Sequence, residues 1–166
     1  KGGVNYDAND KFCLDGERLI AIGNNEYRTE RESWQRVYAS DGTTNPAYFT
    51  VSAPDGGTRV YGGTGDSRIE AQGEAQGTGI ARVWALNRVQ DKRGNALTVA
   101  YTEDNADGEY HPTAIAYSNN RIEFYYQAKP DRFWRYEAGT ATGESLRVSL
   151  IRALADGQIA RDYRLA

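Results

Sequence analysis

The sequence has no methionine, one cysteine and one histidine, and its apolar residues never run long. Each shortage removes a class of chemistry. A lone Cys13 admits no internal disulfide, and without a CxxC partner it leaves zinc short of ligands. A lone His111 rules out a catalytic triad or a two-histidine metal site built within this chain; beside Pro112 at the mouth of a strand it reads as a loop residue. No stretch nears the ~18 apolar residues of a membrane-spanning helix, and the first residues lack the pattern of a signal peptide. Lysine is scarce, arginine is scattered, and the net charge is −3 with a pI near 5.3, which argues against an electrostatic grip on nucleic acid or anionic lipid.

What remains is rich in tyrosine and glycine: 12 Tyr, 4 Phe, 3 Trp and 18 Gly in 166 residues. Aromatic and β-branched residues favour strands, and tyrosine suits a sheet face that is half wet. The length fits one domain with a real core, so residues 1–166 are read as a single β-rich module. The absence of Met and the Lys-Gly-Gly start suggest a piece of a longer polypeptide. Cys13, between Phe12 and Leu14, reads as a small half-buried apolar residue.

Alternation and turn signals organise the chain as successive hairpins of an all-β, antiparallel sheet. Asp-Gly recurs at positions 15, 41, 55, 107 and 156, and in the favoured two-residue hairpin turn both central residues take positive φ. Asp15 and Gly16 join strands at 12–14 and 18–22; Asp55 and Gly56 turn the strand at 47–53 back into 58–61. Asp91, Gly94 and Asn95 form a corner, with Asp91 capping through its carboxylate and Gly94 and Asn95 accepting left-handed backbone. Further strands are expected at 27–32, 33–38, 80–89, 97–101, 113–117, 121–127, 132–136, 146–150 and 159–165, with Asn119-Asn120 as a turn. Residues 147–155 also fit a short helix, but Leu146, Val148 and Leu150 alternate cleanly and favour a strand. Between Gly62 and Gly79 hardly an apolar anchor appears, so 62–79 reads as a flexible Gly-rich loop.

Candidate chemistry is thin. Glu103-Asp104-Asn105-Ala106-Asp107-Gly108 has the front of a calcium loop, but position twelve is Ala114, so a surface turn is the better reading. Glu30-Arg31-Glu32 has the Glu-x-Glu spacing of arginine-specific ADP-ribosyltransferases without the Ser-Thr-Ser segment those enzymes place before it. Gly62-Gly63-Thr64-Gly65 lacks the Lys-Ser/Thr of a phosphate loop. No catalytic residue, metal ligand or cofactor follows from these patterns.

Several segments in order carry a resemblance. Tyr6 to Gly16 leads into the apolar run Leu19 to Ile22, followed by Tyr27-Arg28-Thr29-Glu30, the aromatic run Trp34 to Tyr38, and Phe49 to Gly62. Trp84-Ala85-Leu86-Asn87-Arg88-Val89 then precedes Asp91-xx-Gly94-Asn95 and Tyr101; Tyr110-His111-Pro112, Ile122 to Tyr126 and Gly157 to Leu165 complete the order. This resembles the SpvB-type region of bacterial RHS/YD-repeat toxins and insecticidal Tc-toxin B components. The resemblance implies a non-enzymatic structural segment of a large secreted toxin. It would form part of a β-shell around a toxic C-terminal domain, with no cofactor. Its implied partners are the rest of the parent polypeptide, with its YD-repeat shell, and other toxin-complex subunits; neither nucleic acid nor membrane insertion is implied. An alternative from the residues alone is a binding module that meets a host surface or carbohydrate through Trp34, Trp84 and Trp134.

Overall fold

A computed structural model describes residues 4–137 and 140–165. Fourteen strands follow in chain order: β1 (Cys13–Leu14), β2 (Glu17–Gly23), β3 (Glu26–Thr29), β4 (Arg36–Ala39), β5 (Phe49–Ser52), β6 (Thr58–Tyr61) and β7 (Arg68–Glu70). They continue with β8 (Ala81–Trp84), β9 (Leu86–Gln90), β10 (Ala96–Asp104), β11 (Glu109–Tyr117), β12 (Asn120–Glu137), β13 (Thr140–Ala155) and β14 (Gln158–Arg164). No α-helix occurs among the described residues; residues 147–155 lie in β13. Twelve strands form one sheet in sequential order, every pairing antiparallel, with β7 and β8 set apart as a two-stranded flap.

The core follows the alternation. In β5, Phe49 and Val51 are buried while Thr50 and Ser52 are not. Leu19, Val37 and Ala39 join them from β2 and β4, with Phe12, Tyr27, Tyr61 and Trp84 packed around. Tyrosine and tryptophan rings are placed so that their polar tips reach backbone carbonyls: the Trp84 indole donates to Pro46 O at 2.8 Å, Tyr101 to Leu86 O at 2.8 Å and Tyr126 to Pro112 O at 2.7 Å.

The sheet differs from its sequence reading in places. The span 80–89 is two strands: β8 belongs to the flap, and Ala85 intervenes before β9 enters the main sheet. The stretch 62–79 contains β7 and two 3-10 turns, Gly65–Ser67 and Gly73–Ala75. Its apolar anchors are few but fully sunk: Ile69 and Ala71 have no exposed surface, so two small contacts fasten a segment whose composition reads as loop. Cys13 is exposed rather than half-buried, because β1 is a two-residue edge strand and its residues alternate between core and solvent. The turn before β12 uses Ser118, at φ 50°, and Asn119, while Asn120 already pairs with Tyr117.

Two measurements check this packing. Ile69→Ala should lower urea-unfolding stability by about 2–5 kcal/mol; an effect near zero would mean that 62–79 is not anchored as described. Phe49→Ala should cost roughly 3–5 kcal/mol, and Phe124→Ala distinctly less, since Phe124 is only half-buried.

Candidate functional site

Two places in the fold combine unusual geometry with chemistry. The first is a concave cavity of about 640 Å³ between the N-terminal segment, the inner face of β2–β6 and β8. Its floor is an aromatic cluster in edge-to-face contact. Phe12, Phe49 and Trp84 have centroids 5.0–5.5 Å apart at 72–89°, and Tyr27 meets Phe12 at 5.8 Å. Such offsets place ring edges against ring faces, as the ring quadrupoles prefer. The loop Asn5–Asp10 closes one side, folded on its own side chains: Asp10 Oδ2 accepts from the Asn5 and Tyr6 amides at 3.0 and 2.6 Å, and Asp7 Oδ1 from the Asn9 amide at 2.7 Å.

The second is a polar junction around Glu109, which is 5% exposed. Opposite Ser145 the β12–β13 ladder breaks: Ala128 pairs with Leu146 and Phe133 with Glu144, so residues 129–132 bulge out and leave Ser145 unpartnered by backbone. Pro130 lies in that bulge, where a missing N–H does no harm. Glu109 reaches across from β11 and fills the gap. Its carboxylate accepts from the Ser145 amide at 2.9 Å, the Ser145 hydroxyl at 2.6 Å, the Leu146 amide at 3.1 Å and His111 Nε2 at 2.7 Å. Burial alone would raise this carboxyl, but the bonds from Ser145, His111 and Leu146 outweigh it and hold its pKa down at about 2. His111 stacks beside Tyr126 at 4.6 Å, so it belongs to this junction and not to a free loop. It was the backbone gap that the sequence could not display; a carboxylate one residue before a tyrosine gives no sign of what it faces.

The same corner ties the turn between β10 and β11 to the bulge. Gly143 donates to Asp107 O at 2.9 Å, and Arg132 pairs with Asp107 at 2.6 Å while lying over the Trp134 ring. Trp134 lies across Gly143, where any Cβ would come 3.2 Å from the indole. The acidic run 103–108 is spent in separate places: Glu103 accepts from the Glu70 amide at 2.7 Å, Asp104 from the Ala106 amide, and Asp107 pairs with Arg132. Glu32 accepts from the Trp34 amide at 2.6 Å and the Glu30 amide donates to Arg18 O, so the Glu-x-Glu pair serves its own loop and sheet.

The turn residues sit as follows. At the corner 91–95, Asp91 Oδ1 accepts from the Arg93 and Asn95 amides at 2.8 and 2.9 Å, and Oδ2 from the Asn95 side chain at 2.8 Å. The Asn95 side-chain bond leads in holding the Asp91 carboxyl below its ordinary value. Gly94 takes φ 89°, whereas Asn95 is not left-handed; it works through its amide and side chain. Asp15 and Gly16 both have positive φ, as do Asp156 and Gly157; at Asp55 and Gly56 only the glycine does, with Asp55 Oδ1 accepting from the Gly57 amide. Of the three tryptophans, Trp84 belongs to the aromatic core, Trp34 is 77% exposed with φ 60°, and Trp134 is clamped as described.

One continuous antiparallel meander with a small flap defines the class: an all-β module whose large sheet is covered over only part of its face. The family model described as Salmonella virulence plasmid 65kDa B protein, SpvB, matches residues 20–135, and the chain belongs to this family. Among solved structures, the N-terminal domain of effector protein SpvB from Salmonella typhimurium strain LT2 superimposes with a TM-score of 0.76 at 14% identity, over 93% of this chain and 72% of that one. TcdB2-TccC3 superimposes at 0.74 with 16% identity, and TcdB2-TccC3-TEV at 0.70 with 16%; they match 93% and 92% of this chain. The chain spans only 11% of each TcdB2-TccC3 chain. The shared fold is that of SpvB-type toxin N-terminal regions.

Glu109→Gln should destabilise the chain by on the order of 2–3 kcal/mol, because an amide nitrogen would face the Ser145 and Leu146 donors. Since the folded carboxyl titrates near 2 against an ordinary 4.5, its contribution is complete above about pH 4.5 and lost as pH falls towards 2. Urea midpoints should therefore fall more steeply over that window in the native chain than in Glu109→Gln. Parallel curves would remove Glu109 from its proposed place.

Proposed function

We propose that this chain is a non-enzymatic wall segment of a large secreted bacterial toxin, forming part of a β-shell that encloses or helps deliver a toxic C-terminal domain. The observation that carries the reading is the uncovered face of the C-terminal strands. Ile115 pairs with Ile122, Phe124 with Ile151 and Ile151 with Tyr163, so these side chains share one face. The four inner ones are half-buried and Tyr163 is exposed, with no second layer over them among the described residues. An apolar sheet face is stable when another layer covers it. Membership in the SpvB family and the likeness to a small fraction of TcdB2-TccC3 support a larger polypeptide as the source of that cover. The partners on this reading are the remainder of the parent chain, with its YD-repeat shell, and other subunits of a toxin complex.

The reading as a surface-binding module loses Trp84, which is consumed by the core, and keeps only Trp34 and Trp134, which are exposed.

The test places charge on the uncovered face of the whole polypeptide that carries this segment. Phe124→Asp with Ile151→Asp should leave secretion signals untouched but make the C-terminal segment sensitive to trypsin. Full protease protection and normal export in that variant would overturn the wall assignment.

A further inference from the structure

Beyond Leu19 the β2 strand is paired along one side only. Towards β3 it pairs from Leu19 to Gly23; towards β1 it pairs only at Glu17 and Arg18, after which the Leu19 amide donates to Phe12 O at 2.8 Å. Beyond Leu19 no strand flanks that side among the described residues. Strand alternation puts the Ala21 amide and carbonyl on the same side as those of Leu19, facing outward. Ile20 and Ile22 are 38% and 55% exposed on the outer face of this edge. The register towards β3 shifts between Ala21 and Gly23, so the open apolar edge that can template another strand centres on Ala21.

The 640 Å³ cavity runs along the same edge: Leu19, Ile20 and Ala21 contribute to its wall. Its lining carries both signs: Asp7 and Asp10, held by the amides of their own loop, and the cations Lys11, Arg18 and Arg82, of which Lys11 and Arg18 have no ion pair among the described residues. A backbone edge, apolar space and unpaired cations thus converge at one place.

We infer that the open edge of β2 takes up an extended acidic and apolar polypeptide segment by strand addition. Main-chain bonds to Ala21 supply affinity, alternate apolar side chains enter the cavity, and carboxylates on the segment meet Arg18 and Lys11. A lipid of the same charge would fill the apolar space but leave the Ala21 amide and carbonyl unmet, which favours a peptide. The inference is separate from the wall assignment: it concerns the opposite end of the sheet, and either stands without the other.

The probe is an acetylated, amidated nonapeptide alternating valine and glutamate, compared with its lysine counterpart and with sodium dodecanoate. The host is the 166-residue chain carrying Trp34→Phe and Trp134→Phe, so that emission reports Trp84 alone. The glutamate peptide should change Trp84 emission saturably and slow hydrogen exchange at Ala21. Lys11→Glu with Arg18→Glu, both at exposed positions, should weaken it by on the order of tenfold and turn preference to the lysine peptide. Ala21→Pro should abolish binding with unchanged circular dichroism, because the lost amide faces away from β3. Binding of dodecanoate without either peptide, equal binding of the two peptides, or no binding at all would each overturn the inference.

Discussion

The pairing of β6 with β9 is the contact on which the molecule depends. Thr58 faces Gln90, Arg59 faces Val89 and Val60 faces Arg88, joining two hairpin arrays across an insertion of more than twenty residues. Because β6 and β9 are neighbours, the intervening chain must leave the plane of the sheet and return. It does so as the β7–β8 flap, which lies over the N-terminal strands and brings Trp84 against Phe12 and Phe49. One non-local ladder therefore both unites the sheet and creates its core. The ladder is costly to form early in folding, since the loop closure precedes any reward.

The two halves of the sheet reach stability differently. Strands β2–β6 bury apolar side chains beneath the flap, the usual solution for a half-hydrophobic sheet. Strands β10–β14 rely on length, on tyrosine hydroxyls bonded to carbonyls, and on polar joints such as Glu109 with Ser145 and Arg152 with Asp162. The Arg152 bond is bidentate at 2.9 Å and depresses the Asp162 carboxyl, but it lies at the surface and contributes little. A buried carboxylate that accepts four donors is the stronger device, since each donor would otherwise be left without a partner.

Much of the fold was legible in the sequence, because hairpins are local. Phe49 and Val51 alternating before Pro54-Asp55-Gly56 specify a strand and its return with no knowledge of the rest. What escaped was non-local. Ile69 is a single apolar residue among polar neighbours, and only its complete burial opposite Val83 makes it an anchor. Asn95 and Asn120 carry left-handed propensity that their positions do not use. The Glu109 junction was invisible for the same reason: its meaning lies in a gap between two other strands, thirty-six residues away at Ser145. The cavity could not be read either, since Trp84 reaches Phe12 and Phe49 only from the non-local flap.

Gly62 sets the shape of the hollow beside β2. It turns the chain at φ 73°, and a methyl group there would collide with the Trp84 indole, while its amide donates to Ala85 O at 2.9 Å. The aromatic floor of the hollow is thus propped by a residue that contributes no side chain. Variation at this one point would swing the indole and redraw the hollow's outline with the strand order untouched, so related chains that keep the same meander are free to differ in what they admit.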